Sequence, residues 1–257
     1  MEPEKSVTTS TPHLVCRKEF EDALAHYQIS DEGQRVLNET PFTVMVAATS
    51  TGRNTIIAEL VKTGNYYFIV SDTTRPPRYN NGMLEQHGRE YFFRSEADML
   101  ADIKAGGFVE AEIIHSQQVS GMSIREIKKA REQGKIAITD VEILGGIAVG
   151  NLKPDATVMY LVPPSFDEWL KRIHGRTPVT PGELKNRLEG AVKGFKLALA
   201  NEHFIFVVND QLKDAVRQVD AIARLHQRHP DEESAAHLLV RTLLEQTEAY
   251  LAKYSNW

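Results

Sequence analysis

Residues 42–55 read FTVMVAATSTGRNT, an apolar run followed by a short polar turn that contains one glycine. The apolar run at 42–46 predicts a buried strand, and the spaced apolar positions of residues 54–62 predict a helix. A turn from strand to helix is where phosphate-binding loops of the pattern G-x-x-x-x-G-K-[ST] occur. Backbone N–H groups and the helix N-terminus bind phosphate there, whatever the side chains are.

The side chains of this turn depart from the pattern. Only Gly52 matches, because Arg53 stands at the lysine position and Asn54 at the Ser/Thr position. Arg53 keeps a positive charge, but its planar fork reaches differently from an ammonium group. On its own, the motif leaves an ordinary strand–helix turn equally open. The ATP-binding residues that we predict in this turn are Ala47, Ala48, Thr49, Ser50, Thr51, Gly52, Arg53, Asn54 and Thr55.

Outward from this turn, short apolar runs alternate with helical patterns. Further strands are expected at 66–70, 135–139, 157–162 and 204–208. Helix starts with capping-box spacing are Ser123 with Glu126, Ser165 with Glu168, and Thr180 with Glu183. Such alternation predicts an α/β fold with a P-loop-type parallel sheet flanked by helices.

Composition limits the class of protein. The chain has 257 residues, of which 42% are hydrophobic and 25% charged, the balance of an ordinary globular protein. A net charge of −5 without a basic block argues against nucleic-acid binding. No run is long enough to span a bilayer, so we expect no membrane partner. The single cysteine, Cys16, has no internal disulfide partner, which makes a reducing cytoplasm the simplest setting.

Two segments after the second predicted strand carry a resemblance to a known family. Residues 71–78 (SDTTRPPR) and 85–93 (EQHGREYFF) closely resemble the S-x-T-T-R-x-P-R and E-x-x-G-x-x-Y-x-F signatures of guanylate kinases. A few extra residues lie between the two segments in this chain. The resemblance implies a nucleoside monophosphate kinase, with a small β-rich subdomain that binds the monophosphate (71–122) and a helical lid (172–187).

The resemblance assigns the acceptor phosphate to Ser71, Arg75, Arg78 and Tyr91, with Glu85 beside them. The chemistry requires such a set, because a nucleotide monophosphate carries nearly two negative charges. Two arginines can hold it in charge-assisted pairs, and a carboxylate can hold one arginine in place. A surface loop with two solvated arginines would not explain why both signatures occur in order.

Further matches concern the acceptor base and the metal. Glu110 closes GFVE (107–110), which resembles the segment whose glutamate reads the guanine edge. Ser120 stands where the family has a phosphate-binding tyrosine, and Met122 replaces a Thr/Ser that contacts the base. In DVE (140–142), Asp140 is expected to orient Mg²⁺, with Asn54 or Thr55 as the second group. Glu142 is either a base contact or an exposed acid at a helix start.

The lid is predicted from RIHGRT at 172–177, which resembles the family's R-L-x-x-R-G segment. The resemblance gives Arg172, Arg176 and Arg187 a catalytic role beside Arg53 and Asp140. Such cations neutralise the charge of a transferring phosphoryl group when the lid closes. In VVND (207–210), Asn209 either lies near the donor adenine or caps a helix.

The leading hypothesis is therefore a kinase of purine nucleotide metabolism that uses ATP and Mg²⁺ to phosphorylate GMP or dGMP. One alternative is an impaired module that binds a nucleotide or a phosphorylated partner, which the altered loop favours. Another is a kinase for a different monophosphate, which Met122 and Glu142 motivate. We expect a partly helical extension at 1–41, the kinase domain at 42–226 and an amphipathic helix at 227–257. That last helix either packs on its own domain or builds a homodimer.

Overall fold

The computed structural model describes residues 14–80, 82–114, 116–176 and 178–253. In chain order the described elements are α1 (Arg17–Ala25), α2 (Asp31–Glu39), β1 (Phe42–Ala47), α3 (Arg53–Lys62), β2 (Tyr66–Phe68), β3 (Asp72–Thr73), β4 (Tyr79–Asn80), β5 (Met83–Leu84), β6 (Phe92–Phe93), α4 (Glu96–Lys104), β7 (Phe108–Ile114), β8 (Gln118–Ser123), α5 (Ile124–Glu132), β9 (Ile136–Asp140), α6 (Ile143–Leu152), β10 (Thr157–Val162), α7 (Phe166–Arg176), α8 (Pro181–Leu199), β11 (Phe204–Val208), α9 (Leu212–Leu225) and α10 (Pro230–Lys253).

The described chain divides into two compact units. The large unit consists of residues 37–69 and 127–253, and the small unit of residues 14–36 and 70–126. The small unit thus interrupts the large one after β2 and also receives the N-terminal residues. Each unit has a sheet of its own.

A parallel sheet forms the centre of the large unit, with the strand order β11-β10-β1-β9-β2. The middle strand, β1, pairs with β10 (Val44 beside Val158) and with β9 (Val44 beside Thr139). Because both faces of such a sheet are covered, its strands are continuous apolar runs. This arrangement confirms the predicted α/β class.

Helices cover both faces of this sheet, as the alternation of side chains along β1 requires. Met45 packs in one core cluster with Ile56 of α3 and Val219 of α9. Its neighbour Val46 contacts α6 on the opposite face, where a Cβ on Gly146 would lie 2.6 Å from Val46 Cγ2. A larger residue at 146 would therefore push α6 off the sheet.

Most of the predicted boundaries hold. The strands at 157–162 and 204–208 are confirmed, whereas the strand expected at 66–70 ends at Phe68. The hydroxyl of Thr180 accepts a hydrogen bond from the Glu183 N–H, so that helix start is confirmed. The helix start at Ser123 is also confirmed, since α5 begins at Ile124, but the expected cap by the Ser123 hydroxyl is wrong. Ser123 ends β8, and its buried hydroxyl has no hydrogen-bond partner in the described part of the chain.

The sheet of the small unit has the order β6-β3-β8-β7, with an antiparallel β7–β8 hairpin. Its core joins α1 to α4 and β7, with Leu14 and Phe20 packed against Met99, Ile103 and Phe108. A register shift between Phe108 and Glu110 interrupts the hairpin ladder. The residues of the N-terminal extension described here therefore belong to the core of the small unit.

The C-terminal helix α10 packs on its own chain, against α7, α8 and β11. Lys196 of α8 pairs with Glu248 at 2.6 Å, and the rings of Phe166 and Tyr250 lie 5.4 Å apart. The apolar face of α10 therefore packs on its own domain, as one of the two alternatives predicted. The homodimer stays a prediction. Of the helices in the described ranges, none has the length and apolar character to cross a membrane.

Shortening a buried leucine of α10 tests this packing. Leu243 is 0% exposed, so Leu243→Ala should lower the free energy of unfolding by about 2–5 kcal/mol. Leu238, which is 66% exposed on the same helix, is the matched control, and Leu238→Ala should change it by less than about 0.5 kcal/mol. Urea unfolding of both variants makes the comparison. Equal, small losses would mean that α10 does not pack on the large unit in solution.

Candidate functional site

Three side chains hold the turn after β1 by its carbonyl groups. The Thr51 hydroxyl donates to the Ala48 carbonyl at 2.8 Å, and Trp169 Nε1 of α7 donates to the Thr49 carbonyl at 2.8 Å. Asn209, which follows β11, donates its Nδ2 to the Thr51 carbonyl at 2.7 Å. Because the carbonyls are used in this way, the turn is fixed with its N–H groups available.

The backbone conformation of the turn agrees with this role. Gly52 has φ +94° and precedes α3, and a Cβ at this position would lie 2.4 Å from Asn209 Nδ2. Ser50 also has a positive φ, of 62°. Within the described ranges, no hydrogen bond is donated by the backbone N–H groups of residues 49–54. A run of free N–H groups at a helix start is a binding site for anions.

The turn lines a cavity of about 540 Å³ in the large unit. The residues around it come from the turn, the start of α6, β10, α7 and α8: Val46 to Thr55, Glu142, Ile143, Tyr160, Arg172, Asn186, Arg187, Gly190, Ala191 and Gly194. Three arginines and one carboxylate, Glu142, belong to this lining. Gly194 lets α8 approach β10, since a Cβ there would lie 2.7 Å from the Tyr160 oxygen.

Arg53 is not a free cation in this cavity. Its guanidinium pairs with Asp140 Oδ2 at 2.8 Å and donates to the Val141 carbonyl at 3.0 Å. The arginine fork is long enough to reach the end of the neighbouring strand β9. The residue expected at the phosphates and the residue expected at the metal are therefore bonded to each other. Asn54 and Thr55 are exposed in the first turn of α3.

Two of the predicted lid arginines line the same cavity. Arg172 pairs with Glu168 at 3.1 Å and donates to the Asn209 carbonyl at 2.8 Å. Arg187 lies on α8 and pairs with Glu183 at 2.5 Å, one turn earlier on the helix. The side chain of Arg176, the third predicted lid arginine, lies outside the described residues.

Asn209 supports the turn from the end of β11. Its amide is buried beside Gly52 and bonded to the turn, and it does not line the cavity. It is not a helix cap either, because α9 begins after Gln211. The helix-cap prediction is therefore wrong, whereas a position near the donor adenine stays a prediction.

The small unit brings four of the predicted GMP-binding residues together. Arg75 donates to both oxygens of Glu85, at 2.5 and 2.9 Å, and the backbone N–H of Arg78 donates to Glu85 at 2.8 Å. The Arg75 guanidinium lies 4.7 Å from the centre of the Tyr91 ring. Hydrogen bonding from Arg75 holds the pKa of Glu85 below its usual value, so the carboxylate stays charged.

Ser120 and Gln118 lie beside this group. The Ser120 hydroxyl shares a hydrogen bond of 2.8 Å with the Thr73 hydroxyl and accepts one from Gln118 Nε2 at 3.3 Å. Gln118 also accepts from Arg78 at 3.3 Å. No motif position corresponds to Gln118, so sequence patterns alone offered no reason to choose it. Ser71 contributes its carbonyl, which accepts from the Phe92 N–H.

Glu110 and Glu142 belong to different units. Glu110 lies on β7 opposite Met122, and burial together with nearby Glu112 raises its pKa to about 7. Glu142 is exposed, precedes α6 and lines the cavity of the large unit. The exposed acid at a helix start is thus what the structure describes for Glu142, and its base contact stays a prediction.

Asp72 is a further residue that the motif left unassigned. Its buried carboxylate pairs with Arg94 at 2.6 Å and with Arg125 at 2.8 Å. Arg125 also lies 4.7 Å from the centre of the Phe92 ring. A buried charge needs such partners. Arg94 lies between β6 and α4, and Arg125 lies on α5, so the Asp72 carboxylate bonds β3 to both of these segments. Asp72 stands at the variable position of S-x-T-T-R, so the motif carried no signal for it.

The comparisons with known proteins agree with this geometry. The family model described as guanylate kinase matches residues 39–225, which is most of the chain. The chain belongs to the guanylate kinase family. The guanylate kinase of Sulfurimonas denitrificans is 31% identical over 70% of this chain and 85% of its own length. That of Nocardia farcinica is 33% identical over 68% of this chain and 89% of its own.

A solved structure supports the fold. The crystal structure of guanylate kinase from Anaplasma phagocytophilum has a TM-score of 0.54 and covers 75% of this chain and 89% of its own. Its sequence is 18% identical, so this likeness concerns the fold alone. The guanylate kinase match leaves out residues 1–38 and 226–257, which include α1 and α10.

A magnesium ion would depend on the nucleotide for most of its ligands. In the ranges that the structure describes, no group of three or more His, Cys, Asp or Glu side chains can hold a metal ion. Asp140 is the carboxylate at the end of β9, beside the turn through its bond to Arg53. One carboxylate with phosphate oxygens and water is a usual setting for Mg²⁺, so the donor set fits.

Removing the Asn209 amide tests how the turn is held. Asn209→Ala leaves the buried Thr51 carbonyl without its donor, which should lower the free energy of unfolding by about 1–3 kcal/mol. Asn54→Ala, at an exposed position of the same turn, is the control and should change it by less than about 0.5 kcal/mol. Urea midpoints that are equal for the two variants would contradict the role of Asn209.

Proposed function

We propose that this chain transfers the γ-phosphoryl group of ATP to GMP or dGMP, forming ADP and GDP or dGDP. The observation that carries the proposal is the held turn with free N–H groups in a cavity lined by three arginines, in a chain of the guanylate kinase family. The matched relatives are named guanylate kinases, and this chain aligns with most of their length. No specific contact in the described residues favours a module that only binds.

On the donor side, the phosphates of ATP would lie against residues 47–55. The N–H groups of 49–54 would donate to phosphate oxygens, and Arg172 and Arg187 would add charge from the opposite wall. We place Arg176 in the same role by resemblance. These cations would stabilise the negative charge that spreads over the transferring group.

Arg53 and Asp140 would act as a pair. Arg53 fixes Asp140 in place, and Asp140 would hold Mg²⁺, with Asn54 or Thr55 as an additional oxygen ligand. The bound ion would neutralise phosphate charge. In this reading Arg53 serves the phosphates mainly by orienting the carboxylate, which explains why arginine can replace lysine at this position.

On the acceptor side, Arg75, Arg78 and the hydroxyls of Ser71 and Tyr91 would bind the GMP phosphate. Glu85 holds Arg75 in place before the ligand arrives, so less conformational entropy is lost on binding. Ser120 would contribute through Gln118 and Arg78, in place of the family tyrosine. Glu110 would accept hydrogen bonds from N1–H and the 2-amino group of guanine, which adenine does not offer. Glu142 stays a proposed contact of the base.

This reaction requires no covalent intermediate and no strong general base. The protein positions the two substrates and neutralises charge, and the attacking phosphate oxygen is itself anionic. Exclusion of water by the lid helices α7 and α8 would prevent hydrolysis of ATP. We place the reaction in the cytoplasm.

An acceptor panel tests the proposal. ADP release, measured with ATP, Mg²⁺ and either GMP, dGMP, AMP, CMP or UMP, should be fastest with GMP and dGMP. Glu110→Gln keeps the phosphate contacts but loses an acceptor for guanine, so kcat/KM for GMP should fall by about ten- to hundredfold. Arg89→Gln is the control, since Arg89 is exposed in the loop between β5 and β6.

The panel separates the alternatives. If another monophosphate is phosphorylated faster than GMP and dGMP, that monophosphate is the substrate instead. An absence of turnover with every acceptor, together with no ATP binding by calorimetry, would reject the kinase and leave the binding module.

The pKa of Glu110 predicts a pH dependence. Because burial and Glu112 raise it to about 7, the carboxylate needed for guanine forms as the pH increases through neutrality. The value of kcat/KM for GMP should therefore rise about tenfold between roughly pH 6 and pH 8. Glu110→Gln retains the titration of the substrate phosphate, so its flatter profile isolates the contribution of Glu110. Parallel profiles for the two proteins would exclude this role.

A further inference from the structure

A tyrosine side chain, that of Tyr27, bonds to the edge of the small-unit sheet. β7 is the last strand of that sheet, so in the described part of the chain no strand lies beside the outer N–H and C=O groups of its residues. At Phe108 both groups are nevertheless bonded. The Tyr27 hydroxyl donates to the Phe108 carbonyl at 2.5 Å and accepts from the Phe108 N–H at 2.8 Å. One hydroxyl thus takes the place of a neighbouring strand at this residue.

The position of this contact is specific. The register of the β7–β8 ladder shifts between Phe108 and Glu110, so the backbone is irregular just before Glu110. The hairpin is also tight here, because a Cβ on Gly121 would lie 2.6 Å from the Glu110 carbonyl and 2.9 Å from the Phe108 ring. A shift at Phe108 therefore moves the backbone from which the Glu110 side chain projects.

The segment that carries Tyr27 is itself held firmly. Glu96 accepts from the backbone N–H groups of Val15 and Cys16 at 3.1 and 2.7 Å, ahead of α1. Beyond Tyr27, the Ser30 N–H donates to the Gly106 carbonyl at 3.0 Å. Burial raises the pKa of Tyr27, so its hydroxyl keeps the proton that it donates. The extension is thus bonded on both sides of Tyr27.

We propose that Tyr27, which precedes the part of the chain matched by the family model, is a positioning residue for recognition of the acceptor base. Its hydroxyl fixes the edge of β7 at Phe108 and so orients Glu110 toward guanine. This inference rests on the proposed function of Glu110. It gives the N-terminal extension a role in the acceptor site of this chain.

The test is Tyr27→Phe, which removes the hydroxyl and keeps the ring in the core. The loss of this hydrogen-bonded oxygen should raise KM for GMP by roughly three- to tenfold, with kcat and KM for ATP nearly unchanged. Tyr66→Phe is the matched control. Tyr66 is buried in the large unit, and its hydroxyl donates to Asp220. Loss of this hydroxyl should lower the stability of the protein without changing KM for GMP.

A double-mutant cycle shows whether Tyr27 acts through Glu110. In a Glu110→Gln background, Tyr27→Phe should change KM for GMP by less than about twofold, because the group that it orients is already altered. An equal, additive effect in both backgrounds would overturn the inference. Amide hydrogen exchange at Phe108 should also be faster in Tyr27→Phe, and an unchanged rate would contradict the contact.

The outcomes separate the two proposals. A wild-type chain that phosphorylates GMP, with a Tyr27→Phe variant that keeps its KM for GMP, overturns the positioning role alone. A wild-type chain that transfers nothing to GMP overturns the proposed function and this inference together.

Discussion

The turn between β1 and α3 imposes the main constraint on the large unit. The carbonyl groups of a turn whose N–H groups face a cavity still need hydrogen-bond donors where they are buried. Thr51, Trp169 and Asn209 supply those donors from the turn itself, from α7 and from the end of β11. The central position of β1 in a parallel sheet brings these elements to one edge, so the sheet topology places the three donors beside the turn.

Arginine–carboxylate pairs organise the charges of both units. In the large unit, Arg53 is bonded to Asp140, so that the altered residue of the loop and the carboxylate of β9 form one structural feature. In the small unit, Glu85 holds Arg75. Each pair fixes the conformation of a charged side chain before any ligand binds. The same pairing partly neutralises the charge of that side chain. Such preorganisation suits a reaction in which positioning and electrostatics supply most of the catalysis.

The two terminal regions that lie outside the family match pack on different units. The described N-terminal residues enter the core of the small unit through Leu14 and Phe20 and reach β7 through Tyr27. At the other end of the chain, α10 covers α7, α8 and β11 of the large unit. Extensions of this kind bury apolar surface that a shorter chain would expose, and they do so beside the elements that carry candidate site residues.

The sequence by itself determined the parallel α/β sheet, the family and the cluster of Arg75, Arg78, Glu85 and Tyr91, because apolar runs and ordered motifs record local requirements. Tertiary structure alone decided that Arg53 pairs with Asp140 and that Asn209 supports the turn. It also decided that Gln118 contacts Arg78 and that Tyr27 contacts Phe108. These contacts join residues far apart in the chain, and a side chain's partner depends on which backbone lies within its reach. A local sequence pattern carries no information about which distant residues come within reach of a side chain.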